Sequence, residues 1–497
     1  MRKASMDEFA RLQAKMKQAY EAGKYFEMLR LLDRMERRKG LSPDAIWGIH
    51  LARGMAQFEL GATEEAVAAF RAALEGGTNA SIESRRRLMS NYLMYLHYLS
   101  DVPMEKMRAA HFAYAGLFPS IRPFVHEKRE EKARLRIGYL SPNLTDHIVL
   151  SFAVQLFVQY DRTRYEVVLY STGERKNEVT EWIAGFVNGF RDISALSPED
   201  AAREIQEDGV DILFDLAGHS EGGRTLEIAA YKPAPIQLCG IGYFDTTGLP
   251  AMDAFLGDVY CDPEGADAQF SETLLRLPQS HFCFTPTEQL AHFAGAYRLH
   301  SPIVFGSFNN FAKITDEMLV AWKEILARVP GSRLVLKNVK RQKEPVRYME
   351  KRLRRLDLPQ ERIEVRCATQ DYLREYLDVD ILLDTYPYVG GGTTCEALYM
   401  GVPVVTRYGA RHGSRFGLGL LENIGVGELA APTAEAYIER AVMLANSPDL
   451  VAALHANLRQ MMEQSPVMDG KGYTRSVEAA FEMLWEEWLH GGKREEG

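Results

Sequence analysis

Apolar positions change period once along this chain. Residues from about 6 to 117 are rich in Ala, Leu, Met, Glu, Lys and Arg and show no strict alternation, which predicts helices only. Within them, DAIWGIHLARGMAQFELGATEEAVAAFRAALE (44–75) carries a tetratricopeptide-like pattern. Gly54 falls where two helices cross, Gly61 near the turn, and Ala66, Phe70 and Ala73 on the packing face of the second helix. KMKQAYEAGKYFEMLRLLDRM (15–35) is a weaker copy with Gly23 at the turn position, and a generic helical hairpin fits the same residues. The charged segment VHEKREEKARLR (125–136) lacks apolar periodicity and predicts a boundary.

Beyond it, short apolar runs alternate with amphipathic helices. RLRIGYLSP, YEVVLYST, VDILFDLAG and IQLCGIGY predict strands buried on both faces, the mark of a doubly wound parallel sheet. A second series, SPIVFGSFNN, SRLVLKN, ERIEVRCA, VDILLDTYP and VPVVTRYG, predicts a second such sheet, and GYTRSVEAAFEMLWEEWLHGG a closing helix. The expected organisation is a helical domain (1–124) and two Rossmann-like halves (125–296 and 297–497). Open α/β sheets bind ligands at the C-terminal ends of their strands, so a cleft there is the expected site.

The 497 residues carry a net charge of −9 with both signs mixed, which argues against a nucleic-acid-binding protein. Five scattered cysteines without a CxxC pair suggest neither a zinc site nor a disulfide framework. The N-terminus is charged, and no apolar run approaches the ~20 residues that span a bilayer. The expectation is a cytoplasmic protein without membrane insertion.

Three stretches carry candidate chemistry. In LDTYPYVGGGTTCEALYMGVPVVT (383–406) a buried strand leads into three glycines, Thr393, Thr394 and a helix beginning near Cys395. Glycines let backbone approach a ligand, and a helix start attracts an anion. Gly391, Gly392, Thr393 and Thr394 are therefore anion-binding candidates, with Glu396 placed to accept from ribose hydroxyls. A plain strand-to-helix connection with capping threonines fits equally. In FGSFNNFAKIT (305–315), Asn309, Asn310 and Lys313 follow a strand. The lysine suits a diphosphate leaving group, although an asparagine turn with a surface lysine is the commoner case. In the first half, His147 follows a strand as a candidate base or hydrogen-bond donor, or as a local cap. Asp215 and His219 follow another, as candidate base and partner, or as a cap and turn cluster. Asp378 and Asp380 form a DxD triplet, but one ends a helix and the other opens a strand, so no metal is expected there.

These residues resemble a known family. From SNYLMYLHYLSD (90–101) to the C-terminus, the segments RLRIGYLSPNLTDH, DLAGHSEGGRT, KPAPIQLCGIGYFDTTGLPAMDAFLGD, SFNNFAKIT and DTYPYVGGGTTCEALYMGVPVVT are similar to the catalytic region of the protein O-GlcNAc transferase and SPINDLY family. The resemblance implies a GT-B fold and metal-independent, inverting transfer to Ser or Thr hydroxyls of a protein bound partly through the helical domain. It implies no cofactor beyond the donor substrate, UDP-GlcNAc in the leading reading. His147 stands at the family's active-site histidine and Lys313 at the lysine that stabilises the leaving diphosphate. Asn309 lies in the lysine's motif, Gly392–Thr394 in the diphosphate loop, and Glu396 at the ribose contact. Asn310 and Gly391 depart from the animal enzyme, with glutamine and histidine there, and FNNFAK and TTGLP are nearer to SPINDLY and bacterial members. GDP-fucose is therefore the alternative donor, and a non-catalytic repeat-based binding protein the alternative from another class.

Overall fold

A computed structural model describes residues 2–76, 79–127, 132–293 and 295–491. Of the predicted boundary segment, residues 128–131 lie outside the described residues. The chain forms two compact units: Met1–Val102 with Phe293–Gly409 and Glu428–Arg459, and Pro103–His292 with Ala410–Gly427 and Gln460–Gly497.

The N-terminal region is helical, as its composition requires. Helices Arg2–Glu21 and Tyr25–Glu36 form one antiparallel hairpin and Pro43–Leu60 with Thr63–Glu75 another. Gly54 is needed because the Phe70 ring occupies the space beside it: a Cβ there would stand 2.6 Å from a ring carbon. Gly61 ends its helix in the left-handed conformation, φ 85°, as a C-cap glycine does.

The second unit holds a seven-stranded sheet: β1 (Leu135–Ser141), β2 (Tyr165–Ser171), β3 (Gly189–Asp192), β4 (Ile212–Asp215), β5 (Ile236–Gly240), β6 (Ala254–Asp258) and β7 (Thr273–Leu277). Its order is 3-2-1-4-5-6-7, and every pair is parallel. The first unit holds β8 (Val304–Ser307), β9 (Arg333–Lys337), β10 (Ile363–Arg366), β11 (Ile381–Leu383), β12 (Val404–Arg407) and β13 (Ala430–Ala431), ordered 10-9-8-11-12-13 and again parallel. Both are Rossmann orders, so the GT-B class with a helical N-terminal region expected from the sequence is the architecture found. The central strands are buried apart from Arg136 of β1, hence their largely apolar runs. Strands β3, β6, β7 and β13 were not among those the sequence predicts.

In each sheet the chain reverses direction of growth between its first and fourth strands, and the crevice at such a switch point is where open α/β sheets bind ligands. In the first unit the switch lies between β8 and β11, so the Asn309–Lys313 segment and the glycine loop emerge side by side. In the second it lies between β1 and β4, whose ends lead to His147 and to Asp215.

The helical hairpins pack against that first switch point. Thr63 Oγ1 donates to Ala312 O at 2.8 Å, and Phe58, Phe70 and Tyr98 form one apolar cluster with Ala312. Gly61 lies against the Phe311 backbone, where a Cβ would come within 3.2 Å of its carbonyl carbon and oxygen. Gly61→Ala therefore carries both left-handed strain and a push on the turn that holds Lys313. A loss of about 1–2 kcal/mol is expected. Thermal melts read the loss, and an unchanged Tm would mean that the Phe311 backbone gives way to the added methyl group.

Candidate functional site

The network at the β8/β11 switch point is organised by Asp384, just past β11. Its Oδ1 accepts from Thr385 N (2.8 Å), Gly390 N (2.8 Å) and Asn309 Nδ2 (3.2 Å), and its Oδ2 from Thr406 Oγ1 (2.8 Å). Burial pushes this carboxyl up to about 6, while Gly390 N, Thr406 and Lys313 pull the other way. Asn309 passes the linkage on, accepting from Thr393 Oγ1 at 2.9 Å. One carboxylate thus ties the end of β8 to the glycine loop and to the helix beyond it. Asn310 acts locally, its Oδ1 accepting from Ala312 N at 3.1 Å to cap the short turn Phe311–Lys313.

That cap aims Lys313 at the loop. Its ammonium donates to Val389 O at 3.0 Å and lies 3.6 Å from the Tyr388 ring centroid. The residue as a whole keeps some exposure, but its charged end is enclosed, and burial lowers the ammonium to about 8 despite the nearby Asp384. A cation held at lowered pKa beside a glycine loop has a reason to gain from an anion.

The helix after the loop begins at Gly392, three residues earlier than the sequence indicated, with Gly391 as its N-cap. Cys395 N makes the first helical bond, to Gly391 O at 3.0 Å. Gly392, Thr393 and Thr394 are therefore its first turn, where amides have no acceptor within the helix and the dipole favours negative charge. Thr394 Oγ1 donates back to Gly390 O at 3.1 Å and so fixes the loop. Glu396, in the second turn, accepts from Tyr372 OH (3.3 Å) and Tyr376 OH (3.1 Å), and burial raises its carboxyl. No motif in the chain signals these two tyrosines, which reach Glu396 from 20 and 24 residues away.

In the second unit, His147 is the N-cap of helix Ile148–Val158, with Val149 N donating to its Nδ1 at 3.2 Å. Burial lowers this imidazole. A neutral ring that accepts at Nδ1 carries its proton on Nε2, which makes it a hydrogen-bond donor. Asp215 is fully buried. Its oxygens accept from Ala217 N (2.8 Å) and Gly218 N (3.1 Å), which is the turn-building arrangement, and burial pushes the carboxyl up to about 6. His219 is also buried, its Nε2 at 2.8 Å from Thr247 O and its ring against Tyr114 and Tyr243. Enclosure holds it well below the usual histidine range. Of these three, only His147 keeps exposure.

The DxD triplet diverges, as its placement implied. Asp380 accepts from Tyr297 OH (2.6 Å), His300 N (3.0 Å) and Val304 N (2.6 Å), and Asp378 pairs with Arg366 at 2.7 Å. Among the described residues, no helix is long and apolar enough to cross a membrane.

The chain is similar to the Solanum lycopersicum protein named probable UDP-N-acetylglucosamine–peptide N-acetylglucosaminyltransferase SPINDLY, 35% identical over 419 residues, 82% of this chain and 45% of that protein. The Arabidopsis thaliana protein of the same name is 33% identical over 82% of this chain and 46% of its own length. The chain thus spans less than half the length of these curated relatives. A solved Thermobaculum terrenum O-GlcNAc transferase mutant superposes with a TM-score of 0.87 at 29% identity, covering 98% of this chain and 93% of that one. The profile of glycosyl transferase family 41 matches residues 120–296 and 294–477. With both sheets inside those matches and the Lys313 and Gly392 loops at one switch point, the chain belongs to glycosyl transferase family 41.

Proposed function

We propose that this chain transfers a sugar, GlcNAc from UDP-GlcNAc, to Ser or Thr hydroxyls of a protein, and that the donor diphosphate sits at the β8/β11 switch point. The observation that carries the reading is the Lys313 ammonium held 3.0 Å from Val389 O, next to the first-turn amides of Gly392–Thr394. In a single displacement the acceptor oxygen bonds to the anomeric carbon and gives its proton to water or to the departing diphosphate, while the bond from that carbon to the β-phosphate oxygen breaks and its electron pair stays on phosphate. Charge therefore builds where Lys313 and the helix start can neutralise it, the kind of stabilisation that favours the transition state over the ground state. Gly391 and Gly392 leave room for the diphosphate, Thr393 and Thr394 supply backbone N–H groups, and Glu396 takes the ribose. Asn309, Asn310 and Asp384 position these groups. His147, with its proton on Nε2, donates a hydrogen bond rather than removing a proton. Asp215 and His219 shape the turn beside it. The helical hairpins are the proposed seat for part of the protein acceptor, and the cytoplasm the proposed compartment.

The names of the relatives support the UDP-GlcNAc reading, since each names that donor and a peptide acceptor. Incubating the purified chain with UDP- and GDP-sugars, with and without candidate proteins, is expected to release UDP from UDP-GlcNAc. Release of GDP from GDP-fucose alone would replace the donor, and release from none would favour a binding protein.

A further inference from the structure

A second cluster of chemically able side chains lies in the other unit, where three distant stretches of chain meet. Strand β6 ends at Asp258, and the turn after it brings Cys261 and Asp262. His281 follows β7, and His412 comes from Ala410–Gly427, the stretch that joins this unit. Cys261, His281 and His412 are 1%, 1% and 5% exposed. Cys261 Sγ and one ring nitrogen of each histidine lie within 4.8 Å of one another.

Each imidazole is oriented by its own carboxylate. His281 Nδ1 is 2.5 Å from Asp258 Oδ2, and His412 Nδ1 is 2.8 Å from Asp262 Oδ2. Asp258 is held in place in turn by Tyr260 N, Cys261 N and His281 N. With Nδ1–H committed to a carboxylate, Nε2 is left as a lone-pair donor. Both Nε2 atoms are buried and have no hydrogen-bond partner among the described residues. Buried polar atoms without a partner are uncommon and ask for an explanation. A carboxylate that fixes the tautomer of a histidine whose other nitrogen faces outward is the usual outer shell of a bound metal. The surroundings are apolar, with Phe282 4.1 Å from the His281 ring and Phe416 5.5 Å from the His412 ring. Gly257 is required for the arrangement, since a Cβ there would collide with Asp262 Oδ2.

We propose that Cys261, His281 and His412 bind a borderline-soft divalent cation, zinc by preference, as a structural site. One thiolate and two imidazoles are ligands such an ion selects, and one enclosed water would complete its tetrahedral shell. A tetrahedral ion with Zn–S of ~2.3 Å and Zn–N of ~2.0 Å would draw these atoms to roughly 3.5 Å apart, a contraction that side-chain rotation supplies. Binding displaces the Cys261 proton to solvent. Until then burial and the two neighbouring carboxylates keep the thiol protonated. The ion would pin His412 and its segment to the ends of β6 and β7. It takes no part in transfer, because every ligand is enclosed. The sequence hides it: the ligands span 261 to 412, and no two share a CxxC or HxxxH spacing.

The test uses the full chain. Elemental analysis of protein purified without chelator is expected to give one zinc per chain, and a strong chelator is expected to lower Tm. Refilling the stripped chain with cobalt(II) is expected to give tetrahedral d–d bands and a thiolate-to-cobalt charge-transfer band. Cys261→Ser should lose the charge-transfer band, and His412→Asn should lose zinc. A wild-type chain that neither carries zinc nor gives the cobalt spectrum overturns the proposal and leaves a buried water on the two Nε2 atoms. So does a charge-transfer band that survives Cys261→Ser. If the variants do not fold, wild-type stoichiometry and the cobalt spectrum decide alone.

Discussion

Lys313→Ala is expected to lower the turnover number by ~10²–10³-fold, the range for loss of one group that stabilises a developing anion, while the donor KM changes far less. In the proposed reaction the lysine meets the β-phosphate most strongly when the sugar has begun to leave, so its loss should fall on the step and not on the complex. The fold should not suffer. The ammonium sits in a desolvated place with one carbonyl and one ring for company, and removing it relieves that burial. Tm is therefore expected to hold or rise. The pH dependence has a definite sign. The working form is the protonated amine, and in the free protein it loses its proton near pH 8, so kcat/KM should fall as pH rises through about 8. A bound diphosphate raises the ammonium again, so kcat should persist to higher pH. Lys313→Arg keeps a charge at every accessible pH, and its slower transfer should lack the alkaline fall. Steady-state kinetics across pH 6 to ~9.5 check all of this.

Asp384→Ala is expected to cost stability and donor binding together. The substitution strands Thr385 N, Gly390 N, Asn309 Nδ2 and Thr406 Oγ1, four donors that now share one carboxylate. Each buried donor left unpaired costs about 1–3 kcal/mol, and the losses do not simply add. A total of about 3–5 kcal/mol is a reasonable expectation, comparable to stripping one partner from a buried charged network. Urea unfolding reads the stability. Calorimetry with UDP should show weakened binding in whatever fraction remains folded, because Asn309 and Gly390 no longer hold Thr393 and the loop. A variant with wild-type UDP affinity would detach the carboxylate from the donor site.

Much of this was legible in the chain. Buried strands announce themselves as unbroken apolar runs, and the predicted runs at 212–215, 304–307 and 381–383 are strands for that reason. Strand β3, GFRD, escaped because it is a half-exposed edge with two charges, and β13 because it is two residues long. Strands β6 and β7 are buried but sit among Gly, Pro and Asp turns that mask their period. At the site, Lys313, Asn309 and the glycine–threonine loop could be found because each follows a strand. Asp384 could not, since its value lies in partners 75 residues before and 22 after it. Asp215 and His219 show the converse: a charged residue at a strand end looks reactive in sequence, yet turn amides and aromatic rings enclose both. The helical hairpins carry no candidate chemistry in the sequence, but Thr63 and Gly61 rest directly on the turn that carries the lysine.

The most direct measurement is a crystal structure of the chain soaked with UDP. The β-phosphate is expected within hydrogen-bonding distance of Lys313 Nζ and of the amides of Gly392–Thr394, with the ribose toward Glu396. A diphosphate bound elsewhere, with Lys313 still turned only to Val389 O, would contradict the account.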